Sequence, residues 1–417
     1  MSKSSVVSGF YKLSQKERAK IVGEFACLND DEIGLLLNGR VEQEILSRMS
    51  ENVIGSFQLP LGIAVNFLIN GKDYFIPMAI EEPSVVAAAS NSAKLARQSG
   101  GFQAQAMESI MIGQIQIRDV KAKNHVRMKI FEKKDELLRI ANECDPILIK
   151  LGGGAKDIDV RIVGHELVVH LLVDTKDAMG ANVVNTMVET CAPYIEEISG
   201  CKVGLRILSN LAIHRLVRAK VVYQKEAIGG KDIVNGIVNA YEFALLDIFR
   251  CATHNKGIMN GISAVAIATG NDFRALEAGA HAYASYTGSY KPLTRWEENE
   301  NGDLAGSIEL PIAVGLVGGA TAVHPIAKLC IKILGVKSSK ELAEVMASVG
   351  LAQNFAALRA LVAEGIQKGH MSLHAKNVAI MAGAKGDEID KVSEQMVKEG
   401  KVRLDRAIEI LRALKEE

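Results

Sequence analysis

The pattern of residues 108–219 constrains the fold of this chain more than any other feature. Short segments with alternating apolar residues, typical of strands, are interleaved with longer amphipathic segments, typical of helices. Their order is strand, helix, strand, strand, helix, strand. The four strand segments are SIMIGQIQIRDV, DIDVRIV, ELVVHLLVD and KVGLRIL, and the two helical segments are residues 121–144, after the first strand, and 179–198, after the third. This order defines the split βαβ, or ferredoxin-like, arrangement. We therefore predict a small domain over residues 108–219.

The chain on either side of this segment has a mainly helical pattern. Asn70 and Gly71 separate two alternating apolar runs and predict a hairpin, because this pair suits a type I′ turn. Helices are predicted over residues 41–57, and in the later part over 338–349 and 351–367 as separate elements. The prediction is an α+β protein with three parts, namely a helix-rich large domain from residues 1–107 and 220–367, the inserted small domain, and a helical C-terminal segment over 368–417.

Composition argues against several classes of function. Lys and Arg total 49 and Asp and Glu total 49, so the net charge does not favour binding to nucleic acid or to a membrane surface. The six cysteines form no CxxC pair, which favours free thiols in a reducing compartment over disulfides or a metal site. No apolar run near the N-terminus has signal-peptide length, and the best membrane-span candidate, residues 310–323, is too short. We therefore expect a cytoplasmic protein without bound metal.

Residues 249–282 combine many polar side chains with a short apolar run, ISAVAIATG. Lys256 and Asn260 are four positions apart, so on a helix they share one face. Asp272 follows the apolar run and would meet Lys256 if the chain folded back there. A lysine and a carboxylate in such a setting form either a structural ion pair or a catalytic pair. The residues alone do not separate these two readings.

Two more pairs of titratable residues are candidates for proton transfer. Glu81 and Glu82 lie between apolar segments, where desolvation would favour a general acid, although a charge at a helix N-terminus is the simpler explanation. His370 and His374 share a helix face, but no Glu follows His370, so the HEXXH metal motif is absent. His370 is either a proton donor or a surface histidine.

Three glycine-rich segments could bring backbone close to a phosphate: LGGGAKD, DAMGAN and GLVGGAT. None fits GxGxxG after a strand, and the sequence has no P-loop motif. DAMGAN (177–182) follows a predicted strand and opens a predicted helix, so its N–H groups would suit an anion. A capped helix start without a ligand explains the same residues equally well.

Taken together, these stretches resemble the 3-hydroxy-3-methylglutaryl-coenzyme A (HMG-CoA) reductase family, specifically its soluble bacterial and archaeal class. The resemblance covers nearly the whole chain. It is carried by ENVIG (51–55), EEPSVVAAAS (81–90), LGGG, DAMGANVVNTM, RILSN (206–210), THNKGIMNG (253–261), ATGND (268–272), IAVGLVGGAT, GLAQN (350–354) and GHMSLHAKN. It implies reduction of HMG-CoA to mevalonate and coenzyme A with two reduced nicotinamide dinucleotides.

The resemblance also implies catalytic roles for four residues. Lys256 would stabilise the oxyanion formed by hydride attack, and Asp272 would hydrogen-bond Lys256 and keep it charged. Glu82 would be the general acid, and His370 would protonate the departing coenzyme A thiolate. Further residues would bind the substrate, and these are Ser84, Asn210, Arg250, Asn260 and Gln353. Arg250 suits a carboxylate because its guanidinium pairs bidentately.

By the same resemblance, DAMGAN matches a non-Rossmann dinucleotide site on the small domain. The implied cofactor-binding residues are Asp145, Asp177, Met179, Gly180 and Asn182. A carboxylate at Asp145 would accept from a ribose 2′-hydroxyl and repel a 2′-phosphate, which favours NADH while NADPH stays possible.

The family assembles its site between subunits, so the resemblance implies a homodimer or a larger assembly of dimers. It also implies that residues 368–417 form a mobile flap that carries His370 over the site. Two alternative functions stay open, namely a different coenzyme-A-linked dehydrogenase and a binding protein without catalytic activity.

Overall fold

The computed structural model describes residues 4–363 and 366–416, with the backbone alone for residues 366–373 and 416. The N-terminal part begins with three helices and continues through a hairpin to a helix and a short strand. These elements are α1 (Gln15–Ala26), α2 (Asp30–Asn38), α3 (Gln43–Met49), β1 (Leu61–Ile69), β2 (Lys72–Ala79), α4 (Val85–Ala96) and β3 (Gln103–Ala106).

Turn chemistry fixes the hairpin as predicted. Asn70 and Gly71 both have positive φ, 50° and 77°, as a type I′ turn requires, and β1 pairs with β2 antiparallel across them. The helix predicted over residues 41–57 is wrong in its second half, because α3 ends at Met49. The chain beyond α3 exposes two large apolar side chains, since Ile54 is 104% and Phe57 90% exposed.

The next segment builds the second unit around a four-stranded sheet. Its elements are β4 (Ile110–Ile117), α5 (Lys123–Glu132), α6 (Lys134–Glu143), α7 (Pro146–Lys150), β5 (Gly154–Val163), β6 (Glu166–Asp174), α8 (Ala181–Ser199) and β7 (Val203–Ser209). The sheet order is β5-β6-β4-β7, and every pairing is antiparallel. This order is the one expected of the ferredoxin-like arrangement. The helix predicted over 121–144 is divided at Lys133 into α5 and α6.

The remaining elements before residue 364 complete the larger unit. They are β8 (Leu216–Tyr223), α9 (Lys225–Ile228), α10 (Lys231–Leu246), α11 (Ile248–Ala268), α12 (Phe273–Ala284), β9 (Thr294–Glu298), β10 (Leu304–Pro311), α13 (Gly319–Val323), α14 (Pro325–Leu334) and α15 (Ser339–Ala363). A second four-stranded sheet has the order β3-β8-β10-β9. The boundary predicted after residue 219 lies inside β8, which pairs with β3 and β10 of this sheet.

Helices α11 and α15 pack closely in the core of the larger unit. A side chain at Gly261 would come within 3.0 Å of Val349, and one at Gly350 within 2.8 Å of Ile262, so glycines permit this approach. The two helices predicted between 338 and 367 are one continuous helix up to Ala363. Within the described residues, α15 alone is long and apolar enough to cross a membrane by length and composition. However, 67% of the 18-residue stretch that meets these criteria is buried inside the protein. A core helix meets the same criteria.

Three helices close the described chain, and they are α16 (Ile366–Met381), α17 (Asp387–Lys398) and α18 (Leu404–Glu416). They have a small apolar core of their own, which includes Val378, Val392 and Met396. The boundary predicted at residue 368 falls inside α16. The mixed helical and sheet fold is thus confirmed, while the domain boundaries stay predictions.

Candidate active site

Glu82 joins two residues of α11 into one hydrogen-bonded group. Lys256 Nζ lies 2.9 Å from Glu82 Oε2, and Asn260 Nδ2 donates to the same oxygen at 3.3 Å. One helical turn separates the two donors, so the face predicted for them is the face that they share. The structure therefore brings together three of the predicted site residues from two distant segments.

This group is open to solvent in the single chain. The side chain of Lys256 is 59% exposed and that of Glu82 is 37% exposed. An ion pair as exposed as this one contributes little to stability, about 0 to 1 kcal/mol in general. A stabilising role is therefore a poor explanation for a lysine, a carboxylate and an amide converging on one atom.

Ser84, two residues beyond Glu82, has a strained backbone. Its φ is 75° and its ψ is −19°, a left-handed conformation that is uncommon for residues other than glycine. Although Ser84 occupies the N-cap position of α4, its side chain makes no capping hydrogen bond. Strain of this kind recurs at ligand-binding sites, and it leaves the hydroxyl unused by the helix.

Asp272 lies beyond the C-terminal end of α11, whereas Lys256 is near the middle of that helix. Its Oδ1 caps α12 by accepting from the backbone N–H groups of Arg274 and Ala275, at 3.0 and 3.2 Å, and it also pairs with Arg274 Nε at 3.2 Å. Helix α11 continues from Lys256 to Ala268, and at about 1.5 Å of rise per residue that distance is about 18 Å. In the described part of the chain, the expected hydrogen bond between Lys256 and Asp272 is absent.

Glu277 is the carboxylate of α12 that turns back along α11. Its Oε1 accepts from Ser263 Oγ at 2.6 Å, and its Oε2 lies 3.2 Å from His281 Nε2. Burial raises the pKa of Glu277, but hydrogen bonds from His281 and Ser263 and the positive charge of Lys256 outweigh it and lower that pKa. Glu277 is not among the site residues predicted from the sequence. Its spacing of four from His281, which places both on one helix face, could have indicated that the two side chains interact.

A cavity of about 1160 Å³ collects most of the cofactor candidates. Its lining includes Asp145, Met179, Gly180 and Asn182, together with Asp272 and part of the glycine-rich segment 315–321. Lys256 and Glu82 do not line it. The structure therefore groups the predicted dinucleotide residues with Asp272 and away from the lysine.

The N-terminus of α8 forms one wall of this cavity. Gly180 is its N-cap with φ 104°, and a Cβ there would come within 2.4 Å of Thr175. Only glycine fits this turn, which starts a 19-residue helix beside the cavity. The unpaired N–H groups and the dipole of such a helix favour an anionic ligand.

The two aspartates predicted for the cofactor site have different surroundings. Asp145 lines the cavity and caps α7, because its Oδ1 accepts from the N–H groups of Ile147 and Leu148 at 3.1 and 2.9 Å. Asp177 does not line the cavity, and its Oδ1 accepts from Ser339 N at 2.7 Å. Asp177 thus connects the loop before α8 to the start of α15.

The other substrate candidates lie on two core helices and on the segment after β7. Arg250 is half-buried in the first turn of α11, where burial lowers its pKa, and Asn210 is exposed after β7. Gln353 is buried on α15 beside Gly261, and its Oε1 has no hydrogen-bond partner among the described residues. Buried carbonyl groups are normally paired, which makes Gln353 a reasonable ligand contact.

The remaining catalytic candidate is His370. Its backbone belongs to α16, and its side chain lies outside the described residues. No group of three or more His, Cys, Asp or Glu side chains able to hold a metal occurs among the side chains that are described.

Comparison with known proteins supports one family over the length of the chain. The model of the hydroxymethylglutaryl-coenzyme A reductase family matches residues 14–375. An Archaeoglobus fulgidus protein named 3-hydroxy-3-methylglutaryl-coenzyme A reductase is 61% identical over 99% of this chain and 95% of its own length. A Borreliella burgdorferi protein named a probable reductase of the same kind is 36% identical over 89% of this chain and 88% of its own.

Solved structures give the same result at the level of the fold. The class II 3-hydroxy-3-methylglutaryl-CoA reductase of Streptococcus pneumoniae, bound to NADPH in open conformations, matches with a TM-score of 0.82 and 41% identity. The match covers 97% of this chain and all of that one. Since the family model, the relatives and the fold agree over most of the sequence, this chain belongs to the hydroxymethylglutaryl-coenzyme A reductase family.

Proposed function

We propose that this protein reduces HMG-CoA to mevalonate and free coenzyme A. The reaction takes two hydrides, one from each of two reduced nicotinamide dinucleotides, and two protons. The observation that carries the proposal is the convergence of Lys256 and Asn260 on Glu82 Oε2, in a chain of this family. A cation, a carboxyl group and an amide at one point suit a carbonyl oxygen that gains negative charge and then a proton.

Lys256 acts first on the thioester carbonyl. As hydride arrives at carbon, the carbonyl oxygen becomes an oxyanion, and the ammonium of Lys256 stabilises that charge. Glu82 lies 2.9 Å from the same ammonium, so its carboxyl group is placed to give a proton to that oxygen when the aldehyde is reduced to the alcohol. Asn260 holds the carboxyl group through its side-chain amide.

His370 acts on the sulfur. Collapse of the first tetrahedral intermediate breaks the carbon–sulfur bond and releases coenzyme A as a thiolate. A proton from His370 converts the thiolate to a thiol, which is a weaker nucleophile and does not add back to the aldehyde. The helices α16–α18 have their own apolar core, which suits a flap that moves as one body.

The dinucleotide is held at the cavity lined by Asp145, Met179, Gly180 and Asn182. The N–H groups at the N-terminus of α8 would hold its phosphates, and the Asp145 carboxylate would accept a hydrogen bond from the ribose 2′-hydroxyl. We propose NADH as the preferred donor, because the Asp145 carboxylate disfavours a 2′-phosphate. The Streptococcus pneumoniae relative was bound to NADPH, so NADPH is the alternative donor.

The protein acts as a homodimer or as an assembly of dimers. Within one chain Asp272 bonds to Arg274 and Ala275 rather than to Lys256, so Asp272 of the partner subunit is proposed to be the one that reaches Lys256. The exposed Ile54 and Phe57 support this arrangement, because apolar side chains this exposed are suited to burial between subunits.

An activity assay tests the proposal. The purified protein is mixed with HMG-CoA and either NADH or NADPH, and dinucleotide oxidation is followed by absorbance. We expect oxidation with both donors, faster with NADH, and mevalonate and free thiol as products. A folded sample that oxidises neither donor would refute the proposed function, while a preference for NADPH would refute only the role of Asp145.

A further inference from the structure

Arg215 is a buried cation that the proposed reaction does not use. It precedes β8 directly and is 4% exposed. Its Nη1 donates to Thr175 Oγ1 and to the carbonyl oxygens of Ala178 and Met179, at 3.1, 3.1 and 3.2 Å. Its Nη2 donates to the carbonyl oxygen of Val314 at 2.5 Å. One guanidinium group thus connects the dinucleotide loop, residues 175–180, to the segment that follows β10.

The charge of Arg215 has no ion pair to offset its burial. Its hydrogen bonds go to carbonyl and hydroxyl oxygens, and none goes to a carboxylate among the described residues. Burial lowers the pKa of Arg215 to about 10, while the charges of Asp174 and Asp177 act in the opposite direction. The group therefore stays charged at neutral pH. Buried charges are weak contributors to stability, which points to a role in fixing geometry.

The direction of the two carbonyl groups determines where the loop presents its donors. In a trans peptide the N–H of the next residue points opposite to the C=O. Because the carbonyl groups of Ala178 and Met179 point to Arg215, the N–H groups of Met179 and Gly180 point away from it. Both residues line the cavity, and neither N–H has a hydrogen-bond partner among the described residues.

Neighbouring contacts hold the same loop from the other side. Leu316 N donates to the carbonyl oxygen of Asp177 at 2.8 Å, and Gly315 N donates to Asn271 Oδ1 at 2.8 Å. A side chain at Gly315 would come within 2.6 Å of Met179 N, so the segment after β10 packs directly on the loop. Arg215 therefore completes a rigid support for the two free N–H groups.

We propose that Arg215 is a positioning residue for the dinucleotide, which orients the peptides after Ala178 and Met179 so that their N–H groups bind its pyrophosphate. The proposal rests on the proposed function, since it assigns a support to the same dinucleotide site. Arg215 does not touch the ligand; it acts through the loop. Its removal should therefore affect dinucleotide binding and leave HMG-CoA binding unchanged.

Steady-state kinetics of Arg215→Lys in the full-length enzyme test this assignment. Lysine keeps the charge, but it lacks the planar guanidinium group whose several N–H donors bind the loop and Val314 at the same time. We expect the KM for the dinucleotide to rise about tenfold, as loss of a charged hydrogen bond predicts, with the KM for HMG-CoA unchanged. The matched control is Arg218→Lys, because Arg218 is three residues away on β8 and pairs on the surface with Glu309.

Thr175→Val keeps Arg215 and the side-chain shape while it removes a hydroxyl that accepts from Arg215 and donates to the carbonyl oxygen of Ala178 at 3.0 Å. It therefore tests the same orientation of the loop if Arg215→Lys does not fold. We expect a smaller rise in the dinucleotide KM, about threefold, for the loss of neutral hydrogen bonds. A folded Arg215→Lys enzyme with the wild-type dinucleotide KM would overturn the assignment, as would a folded Thr175→Val enzyme with that KM where no Arg215 variant folds. An inactive wild-type enzyme would instead overturn the proposed function.

Discussion

The middle of α11 and its C-terminal end have different environments. Near the middle, Lys256 and Glu82 form an exposed pair that does not line the large cavity. Just beyond the C-terminal end, Asp272 lines that cavity together with the dinucleotide candidates. The part of α11 between these two positions is buried in the core, where Ile258, Ile262 and Val265 are fully covered. The lysine and the aspartate proposed for one site therefore have separate surroundings within one chain.

This difference agrees with the proposed dimer. A chain that kept the lysine and the aspartate together would be able to act alone. In the proposed dimer, each complete site would take its lysine from one subunit and its aspartate from the other.

The largest effect should follow from Lys256→Ala. Loss of the group that stabilises the oxyanion should lower kcat by about a thousandfold or more, because preorganised electrostatic groups contribute that much. The melting temperature should stay close to that of the wild type, since the pair with Glu82 is exposed. Turnover within tenfold of the wild type would rule out the oxyanion role.

A mixed dimer should separate the two arrangements of Lys256 and Asp272. Lys256→Ala and Asp272→Asn chains are each inactive alone, and the test is to co-express them with different tags. If the pair forms between subunits, half of the dimers are mixed and each has one intact site, so about a quarter of the wild-type activity returns. If the pair forms within one chain, no site is intact and no activity returns.

Glu277→Gln should have a smaller effect on the surroundings of Lys256. Glu277 lies near enough for the charge of Lys256 to lower its pKa, so the exchange should remove a negative charge from the vicinity of the lysine. We expect kcat to fall about tenfold. The control is Glu242→Gln, an exposed carboxylate on α10, which should leave kcat unchanged.

The smallest effect concerns a buried histidine of α11, two residues before Lys256. Burial lowers the pKa of His254 to about 3, and its Nε2 lies 2.7 Å from Thr294 Oγ1. Since the folded pKa is below the unfolded value near 6.5, the unfolded chain binds the extra proton between those values. The free energy of unfolding should then fall as pH falls through that window, by about 1.4 kcal/mol per pH unit at most for one group.

Denaturant titrations at several pH values measure this dependence. His254→Gln removes the titrating group, so its unfolding free energy should change less steeply with pH than that of the wild type. His125→Gln is the control, because His125 is exposed in α5. Equal slopes for His254→Gln and the wild type would contradict a buried neutral histidine in α11.

The parts of the fold with a local signal were predictable from the sequence. Strands of the small sheet follow from period-two patterns, and the hairpin follows from Asn70 and Gly71. The shared face of Lys256 and Asn260 follows from their spacing, although the partner that they bind there, Glu82, is 174 positions away from the lysine. The resemblance to a family identified Glu82, which no periodicity could have done.

Other parts depend on distances that a pattern does not contain. The apolar run after Asn260 is compatible with a fold-back, and it is also compatible with helix to Ala268, which is what the structure has. Glu277 was missed because its contact with Ser263 exists only once α12 has packed beside α11. Residues 50–57 continue the pattern predicted as a helix over 41–57, whereas α3 ends at Met49 and Ile54 and Phe57 are exposed in the single chain.

The left-handed backbone at Ser84 has a consequence for protein engineering. A glycine at this position would adopt the same φ without a clashing Cβ, and relief of that strain is worth about 1 to 2 kcal/mol in general. A screen for thermal resistance would therefore select Ser84→Gly, and the same exchange would delete a hydroxyl two residues from Glu82, the proposed general acid. Gains in heat tolerance at this residue should come with a loss of turnover, so a search for a hardier catalyst should leave it unchanged.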